Sequence, residues 1–287
     1  MTRFRRRRDR IRRTVAIAWW TCCLVLSCVF LFPLAMVAMT VVKTPAEAVA
    51  SPPTYLPRQL SFDNFKELWQ AGLGMDTYLG NSIKVSLLTV VMTVILATLA
   101  GYGLAKLPFK GSNAVFMALL APMMVPVQVL LTPLYLVLLR LHLSNSLVGL
   151  ACVYTMSQIP LGVFVMRNAF ASIPNEIEEA AWIDGCSLVR AAQSVSLRLA
   201  TPGLATVALF AFFTSWNEFL AALILLNSDD HYTVPVLLQN LITGRFGTID
   251  WGMLQVGVLV TSLPCIIVFL ILQRYYVEGL LAGSVKS

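Results

Sequence analysis

The stretch TVAIAWWTCCLVLSCVFLFPLAMVAMTVV, residues 14–42, carries no charged side chain. A bilayer-spanning helix needs roughly 20 consecutive apolar residues, and this run exceeds that length. Five further apolar stretches follow: residues 80–105, 113–139, 146–166, 202–226 and 253–272. Two of them hold a charged side chain, Lys84 near one end of the second and Glu218 inside the fifth. Inside hydrocarbon every backbone polar group needs an internal partner, so these stretches are expected to be helices. The short alternating segments of a barrel are absent. Composition agrees: 58% of the residues are hydrophobic and 12% charged, against about 25% charged in a typical soluble domain. Mean hydropathy is +0.77. The expected fold is an all-α integral membrane protein with six transmembrane helices.

Charge sets the expected orientation. Residues 1–13, MTRFRRRRDRIRR, hold eight Arg. Basic residues favour the cytoplasmic side, which places both termini in the cytoplasm. Lys106, Lys110, Arg167, Arg190, Arg198, Arg274 and Lys286 then share that side, so 15 of the 21 Lys and Arg lie there. The net charge of +7 is therefore topological. Because the Arg run abuts a span, it suits anionic lipid headgroups and not nucleic acid. Although Ala48-Val49-Ala50 looks like a signal cleavage site, the first run is nearly twice the roughly 7–15 residues of a signal core. It reads as an uncleaved anchor.

This organisation divides the chain into a basic cytoplasmic N-terminus (1–13), a first transmembrane helix (14–42), an extracytoplasmic loop (43–79), a core of five spans (80–275) and a cytoplasmic tail (276–287). In the long outer loop, Ser61 or Asp63 is placed to cap a short amphipathic helix using Phe65, Leu68 and Trp69. Residues 227–252 form a second large outer loop, apolar enough in part to enter the bundle or meet a partner.

Catalytic patterns are missing. His142 and His231 are the two histidines and lie in separate outer loops. There is no HExxH, GxSxG or His/Cys cluster, and no GxxxxGK[ST] phosphate loop. Cys22, Cys23, Cys28, Cys152, Cys186 and Cys265 lie in spans or in a cytoplasmic loop, so a disulfide framework is not expected.

The cytoplasmic segment 167–204, RNAFASIPNEIEEAAWIDGCSLVRAAQSVSLRLATPGL, is the most informative loop. Pro174 suits a helix start. Glu176, Glu178 and Glu179 favour the positive end of the helix dipole, and Gly185 supplies a stop. A second helical stretch, 187–199, leads to the fifth span. Read from these residues alone, the loop is either an ordinary amphipathic connector or a helix–elbow–helix docking element.

Glu179-Ala180-Ala181-x-x-Asp184-Gly185 resembles the EAA loop of ABC importer permeases. The resemblance extends along the chain through Asn81-Ser82, Gly101-Tyr102-Gly103-Leu104-Ala105-Lys106, Pro122 to Gln128 with Pro133-Leu134-Tyr135, Ser215 to Leu220, and Gln273 to Lys286. As an ordered set these motifs are similar to the carbohydrate-uptake, maltose-transporter type, in its shorter six-span permease with the type I fold. One departure is Leu197-Arg198, where the family usually has Leu-Pro.

The resemblance implies a transport subunit, not an enzyme, in the plasma or inner membrane. It implies a second homologous permease, two ATP-binding cassette subunits that hydrolyse ATP, and an extracytoplasmic binding protein delivering a carbohydrate. This chain itself would bind no cofactor. Glu178, Glu179, Ala180, Ala181, Asp184 and Gly185 would form the ATPase-coupling contact within a loop spanning 167–201. Because an acid inside a span faces a cavity or partner, Glu218, with Trp216 and Asn217 beside it, is the candidate pathway or gate. Two alternatives stand beside this reading: the same architecture importing a polyol or glycerol phosphate, and a stand-alone secondary transporter.

Overall fold

The computed structural model describes the backbone of residues 2–107, 109–245 and 250–284, and the side chains of residues 15–107, 109–245 and 250–273. The side chains of the basic N-terminus and the tail motif from Arg274 onward lie outside the described residues. In chain order the α-helices are α1 (Thr2–Val41), α2 (Pro45–Ala48), α3 (Asp63–Gln70), α4 (Met75–Lys106), α5 (Ser112–Leu120), α6 (Val127–Arg140) and α7 (Leu147–Ala171). Then come α8 (Asn175–Ile183), α9 (Leu188–Ala191), α10 (Leu197–Leu199), α11 (Thr201–Asn217), α12 (Leu220–Leu225), α13 (Val234–Ile242) and α14 (Trp251–Ser284). A 3₁₀ turn, Ala121–Met124, precedes α6, and a π-helix, Ala192–Ser196, joins α9 to α10. Among the described residues there is no strand.

Among the described residues four helices are long and apolar enough to cross a membrane unbroken: Val15–Val41, Met75–Lys106, Leu147–Ala171 and Trp251–Gln273. Two bent pairs make it up to six where each pair counts as one span. The first, within residues 112–140, turns by 101°. Its cause is legible: Val125 and Pro126 are extended (ψ 123° and 126°), and the residue before a proline is pushed out of the helical region. The second pair, Leu188–Leu199 and Thr201–Asn217, turns by 74°. The fifth apolar run is also interrupted at Glu218, which is extended with ψ 127°.

The chain separates into two compact units. One comprises residues 1–69 and 247–260, the other residues 70–246 and 261–287. In the first, the most apolar 18-residue stretch of α1 holds no buried residue, whereas Val41 at its end is buried. Its C-terminal end is tied to the outer loop by Asn64, whose Nδ2 donates to Lys43 O at 2.8 Å. Ser61 and Asp63 do open α3: Ser61 Oγ accepts the Asp63 N–H at 3.0 Å. Its buried residues, however, are Asn64 and Leu68, while Trp69 is exposed. The Pro-rich part before it includes the short helix α2, capped by Thr44.

In the second unit α4, α7 and α11 form the centre. The face of α4 that they cover runs Ser82, Ser86, Thr89, Thr93, Ala97 and Gly101, all buried. Small residues at three- and four-residue steps let membrane helices approach closely. At Gly101 a Cβ would stand 2.6 Å from Met166 Cβ, so only glycine permits this α4–α7 separation. Leu131, Leu150, Tyr154 and Leu225 lie in one apolar cluster. Val163, Met166, Phe170 and Val207 lie in another, towards the α7 C-terminus. Residues 227–242 pack on the start of α4: Asn81 Nδ2 donates to Asp230 O and Tyr232 O at 2.7 and 3.0 Å, and Ser82 Oγ accepts the Val234 N–H.

Candidate functional site

The segment after α7 folds as a short helix, an elbow and a second helix. Pro174 is extended (ψ 139°) and starts α8, with Glu176 and Glu178 in the first turn. At the other end Gly185 has φ +85°. The Gly185 N–H donates to Trp182 O and the Cys186 N–H to Ala181 O, both at 3.0 Å. Those two bonds with a left-handed glycine make a Schellman stop. Ser187 then caps α9 by accepting the Arg190 N–H at 3.3 Å.

Two side chains hold the elbow in place. Lys106, the last residue of α4, donates to Ile173 O at 2.6 Å and to Asn175 Oδ1 at 2.8 Å, fixing the entry to α8. Glu178 is 3% exposed and accepts a hydrogen bond from Ser196 in the π-helix. The Tyr102 hydroxyl is buried in the electrostatic reach of Glu178 without meeting hydrogen-bond geometry to it. A π-turn places one more residue per turn than an α-turn and occurs often at functional sites. Here it brings Ser196 to the acid.

The six predicted coupling residues therefore divide. Glu178 points inward and bonds within the loop. Glu179, Ala180, Asp184 and Gly185 are exposed, and Ala181 is half-buried. Beside them the α8 tip presents apolar side chains that sequence reasoning did not select: Ile177, Trp182 and above all Ile183, 86% exposed. Arg198, which stands where the family usually has proline, lies in α10. The chain turns after it, around Ala200 and Thr201, with Pro202 in the first turn of α11.

The three pathway candidates also divide. Trp216 is 1% exposed, stacks on Phe212 with ring centroids 5.5 Å apart, and donates Nε1–H to Thr261 O at 3.0 Å. Glu218 is half-buried. Its carboxylate accepts the Tyr154 hydroxyl at 2.7 Å and the Ala221 and Ala222 N–H groups at 2.9–3.2 Å. It caps α12 and bridges to α7. Asn217 is the exposed member of the three. Sequence reasoning missed Tyr154, Ser196 and the anchoring role of Lys106. Lys106 had a signal, as a cation ending a span on the side of the loop, whereas Ser196 had none.

In the outer loop, His231 Nδ1 lies 2.9 Å from Ser228 Oγ and 3.5 Å from Asp230. A hydrogen bond from Ser228 holds the Asp230 carboxyl below its usual value. Arg245 pairs with Asp229 at 2.9 Å. Among the described residues no cluster of His, Cys, Asp or Glu could hold a metal ion.

Apolar helices long enough to span a membrane and an exposed helix on a long connecting loop are features of a membrane permease. Residues 93–280 match the family described as "Binding-protein-dependent transport system inner membrane component". The chain is 32% identical over 280 residues to the inner membrane ABC transporter permease protein YcjP of Escherichia coli, covering 96% of this chain and 99% of that protein. It is 31% identical over 256 residues to the diacetylchitobiose uptake system permease protein DasC of Streptomyces coelicolor (89% and 92%). With the arabinooligosaccharides transport system permease protein AraQ of Bacillus subtilis it shares 32% over 266 residues (92% and 93%). A bacterial ABC transporter that imports the acidic polysaccharide alginate has the same fold, with a TM-score of 0.78 at 21% identity over 92% of this chain and 97% of that one. The chain belongs to the binding-protein-dependent transport family: it is a multi-pass plasma-membrane permease subunit of an ABC importer, and not a catalytic enzyme domain.

Proposed function

We propose that this chain is the shorter six-span permease of a carbohydrate importer of the maltose-transporter type, forming half of the translocation pathway with a second homologous permease. Both termini lie in the cytoplasm, a reading supported by the distribution of Arg and Lys. An extracytoplasmic binding protein delivers the sugar to the outer loops. Two ATPase subunits dock on the cytoplasmic loops, one on α8 of this chain. The carbohydrate class is supported by the likeness to DasC, a diacetylchitobiose uptake permease, and AraQ, an arabinooligosaccharide transport permease.

The single observation that carries the coupling role is the exposed tip of α8. Ile183, Trp182, Ala180 and Glu179 are open to a partner, while Lys106 and Glu178 fix the helix from behind. Burying the largely exposed Ile183 gives roughly 1.5–3 kcal/mol, the part-exposed Trp182 adds to it, and the small Ala180 lets a partner backbone come close. A load applied to α8 reaches the spans through two routes. Lys106 ties its start to α4, and Glu178 with Ser196 ties its first turn to the helix that feeds α11. In this scheme Glu178 positions the contact and the exposed residues make it.

Pull-down of the ATPase from co-expressing membranes tests this. An Ile183→Glu change should abolish co-purification of the ATPase while the sister permease remains bound. Full retention of the ATPase by that variant would place the contact elsewhere. Ion-driven uptake by this chain alone, without ATPase, would instead establish the secondary-transporter reading.

A further inference from the structure

We propose that the cavity between α4 and the segment 188–197 is a phospholipid site, which takes one acyl chain among its apolar side chains and the anionic headgroup phosphate at Arg190 and Arg198.

The cavity has a volume of about 430 Å³. Val94, Thr98 and Tyr102 line it from α4, and Leu188, Ala192 and Leu197 from the helical segment that follows α8. Among the described residues no charged side chain lines it. Ile95, Leu99 and Val189 belong to the same lining and are each more than half exposed, so the cavity opens outward through an apolar mouth. Ala192 also belongs to the π-helix whose Ser196 holds Glu178. An occupant therefore touches the segment that fixes α8.

Depth places the cavity in hydrocarbon. Lys106 ends α4 and bonds to Ile173 and Asn175 at the entry to α8. At 1.5 Å per residue, Tyr102 and Val94 lie about 6 and 18 Å back along α4 from Lys106. Half of a bilayer's hydrocarbon core is about 15 Å, so the cavity runs through one leaflet, on the side of the membrane where α8 emerges.

Size and charge decide what fits. One turn of an α-helix, 10–12 Å wide with a 5.4 Å pitch, occupies roughly 400–600 Å³. A neighbouring span could not seat along the cavity, whereas its volume lies within the roughly 300–1,000 Å³ of small-molecule sites. An uncharged, apolar lining at this depth suits a lipid chain. Beside it stand two cations. Arg190 follows the lining residue Val189, Arg198 follows the lining residue Leu197, and both Arg are exposed. Neither forms an ion pair among the described residues. Residues 185–217 contain no acid, so nothing in that stretch competes for them. Cations beside a membrane surface attract anionic lipid headgroups.

The test uses the complex of this chain with its sister permease and ATPase subunits, in vesicles of phosphatidylethanolamine and phosphatidylglycerol. Part of the phosphatidylglycerol carries a diazirine on its acyl chain. After irradiation, label mapped by mass spectrometry should concentrate on residues 94–102 and 188–197, at least about threefold above any other exposed apolar face of this chain. Thr98→Phe and Val94→Phe each fill the cavity and should cut that labelling, leaving the labelling of α14 unchanged. Arg190→Gln should lower cavity labelling about fivefold, and phosphatidylcholine with the same diazirine chain should label the wild type correspondingly weakly. Cavity labelling no stronger than that of α1 or α14 would mean that the sister permease covers the mouth or that lipid meets only the surface, and overturns the site. Labelling that survives both Phe substitutions overturns it as well. Equal labelling by the two lipids, unmoved by Arg190→Gln, would overturn the anionic headgroup contact.

Discussion

The Tyr154 hydroxyl donates to the Glu218 carboxylate at 2.7 Å, joining α7 to the break between α11 and α12. The same carboxylate takes two backbone N–H groups of α12. One acid thus satisfies the start of a helix and ties it to its neighbour, which explains how a charge persists inside the fifth apolar run. Removing the acid leaves three donors without an acceptor, at about 1–3 kcal/mol for each buried group. Tyr154→Phe should cost about 1.5–3 kcal/mol. Thermal unfolding of both single variants and the double variant in detergent gives their coupling energy. We expect at least about 1 kcal/mol, and additivity within error would show that the bond contributes nothing.

Trp216 is expected to act through packing. Trp216→Ala should destabilise the fold by about 3–5 kcal/mol, lowering the yield of folded protein in detergent. Trp216→Phe keeps part of the stack on Phe212 and should lose less. A Trp216→Ala protein that is fully stable and selectively poor in sugar uptake would return this residue to the pathway.

Gly185 isolates backbone strain from crowding. A Cβ placed there meets nothing within 4 Å, yet φ is +85°. The left-handed conformation costs an ordinary residue roughly 1–2 kcal/mol and asparagine less. Uptake should therefore fall in the order Gly, Asn, Ala, Val at position 185, with membrane insertion unchanged. Equal uptake across the series would separate the elbow from coupling.

Lys106→Met removes both bonds that fix the entry to α8 while keeping the length of the side chain. ATP hydrolysis by the assembled complex should continue with uptake reduced several-fold, because the docking helix can then move without α4. Measuring both rates on one preparation checks this. A parallel fall in the two rates would indicate loss of assembly instead.

Much of the local structure of the loop could be anticipated, though unevenly. The α8 boundaries followed from Pro174 and Gly185, whose backbone preferences are intrinsic. Glu178 and Glu179 are neighbours of the same type, and residue identity alone does not say which one faces inward. That was settled by the position of Ser196 across the loop. Likewise, Trp216, Asn217 and Glu218 read as one motif, yet one packs in the core, one is exposed and one caps a helix. Successive helical residues point about 100° apart, so a contiguous motif seldom shares a single environment.

Class, membrane setting and spanning helices were already present in the one-dimensional pattern. Run length, charge bias and the cost of bare backbone in hydrocarbon act locally and do not depend on what packs where. The bond from Tyr154 that accompanies the interruption at Glu218, and the inward turn of Glu178 to Ser196, required the folded chain. Each depends on residues far apart in sequence meeting across helices, and the register of α7 against α11 is a property of their packing.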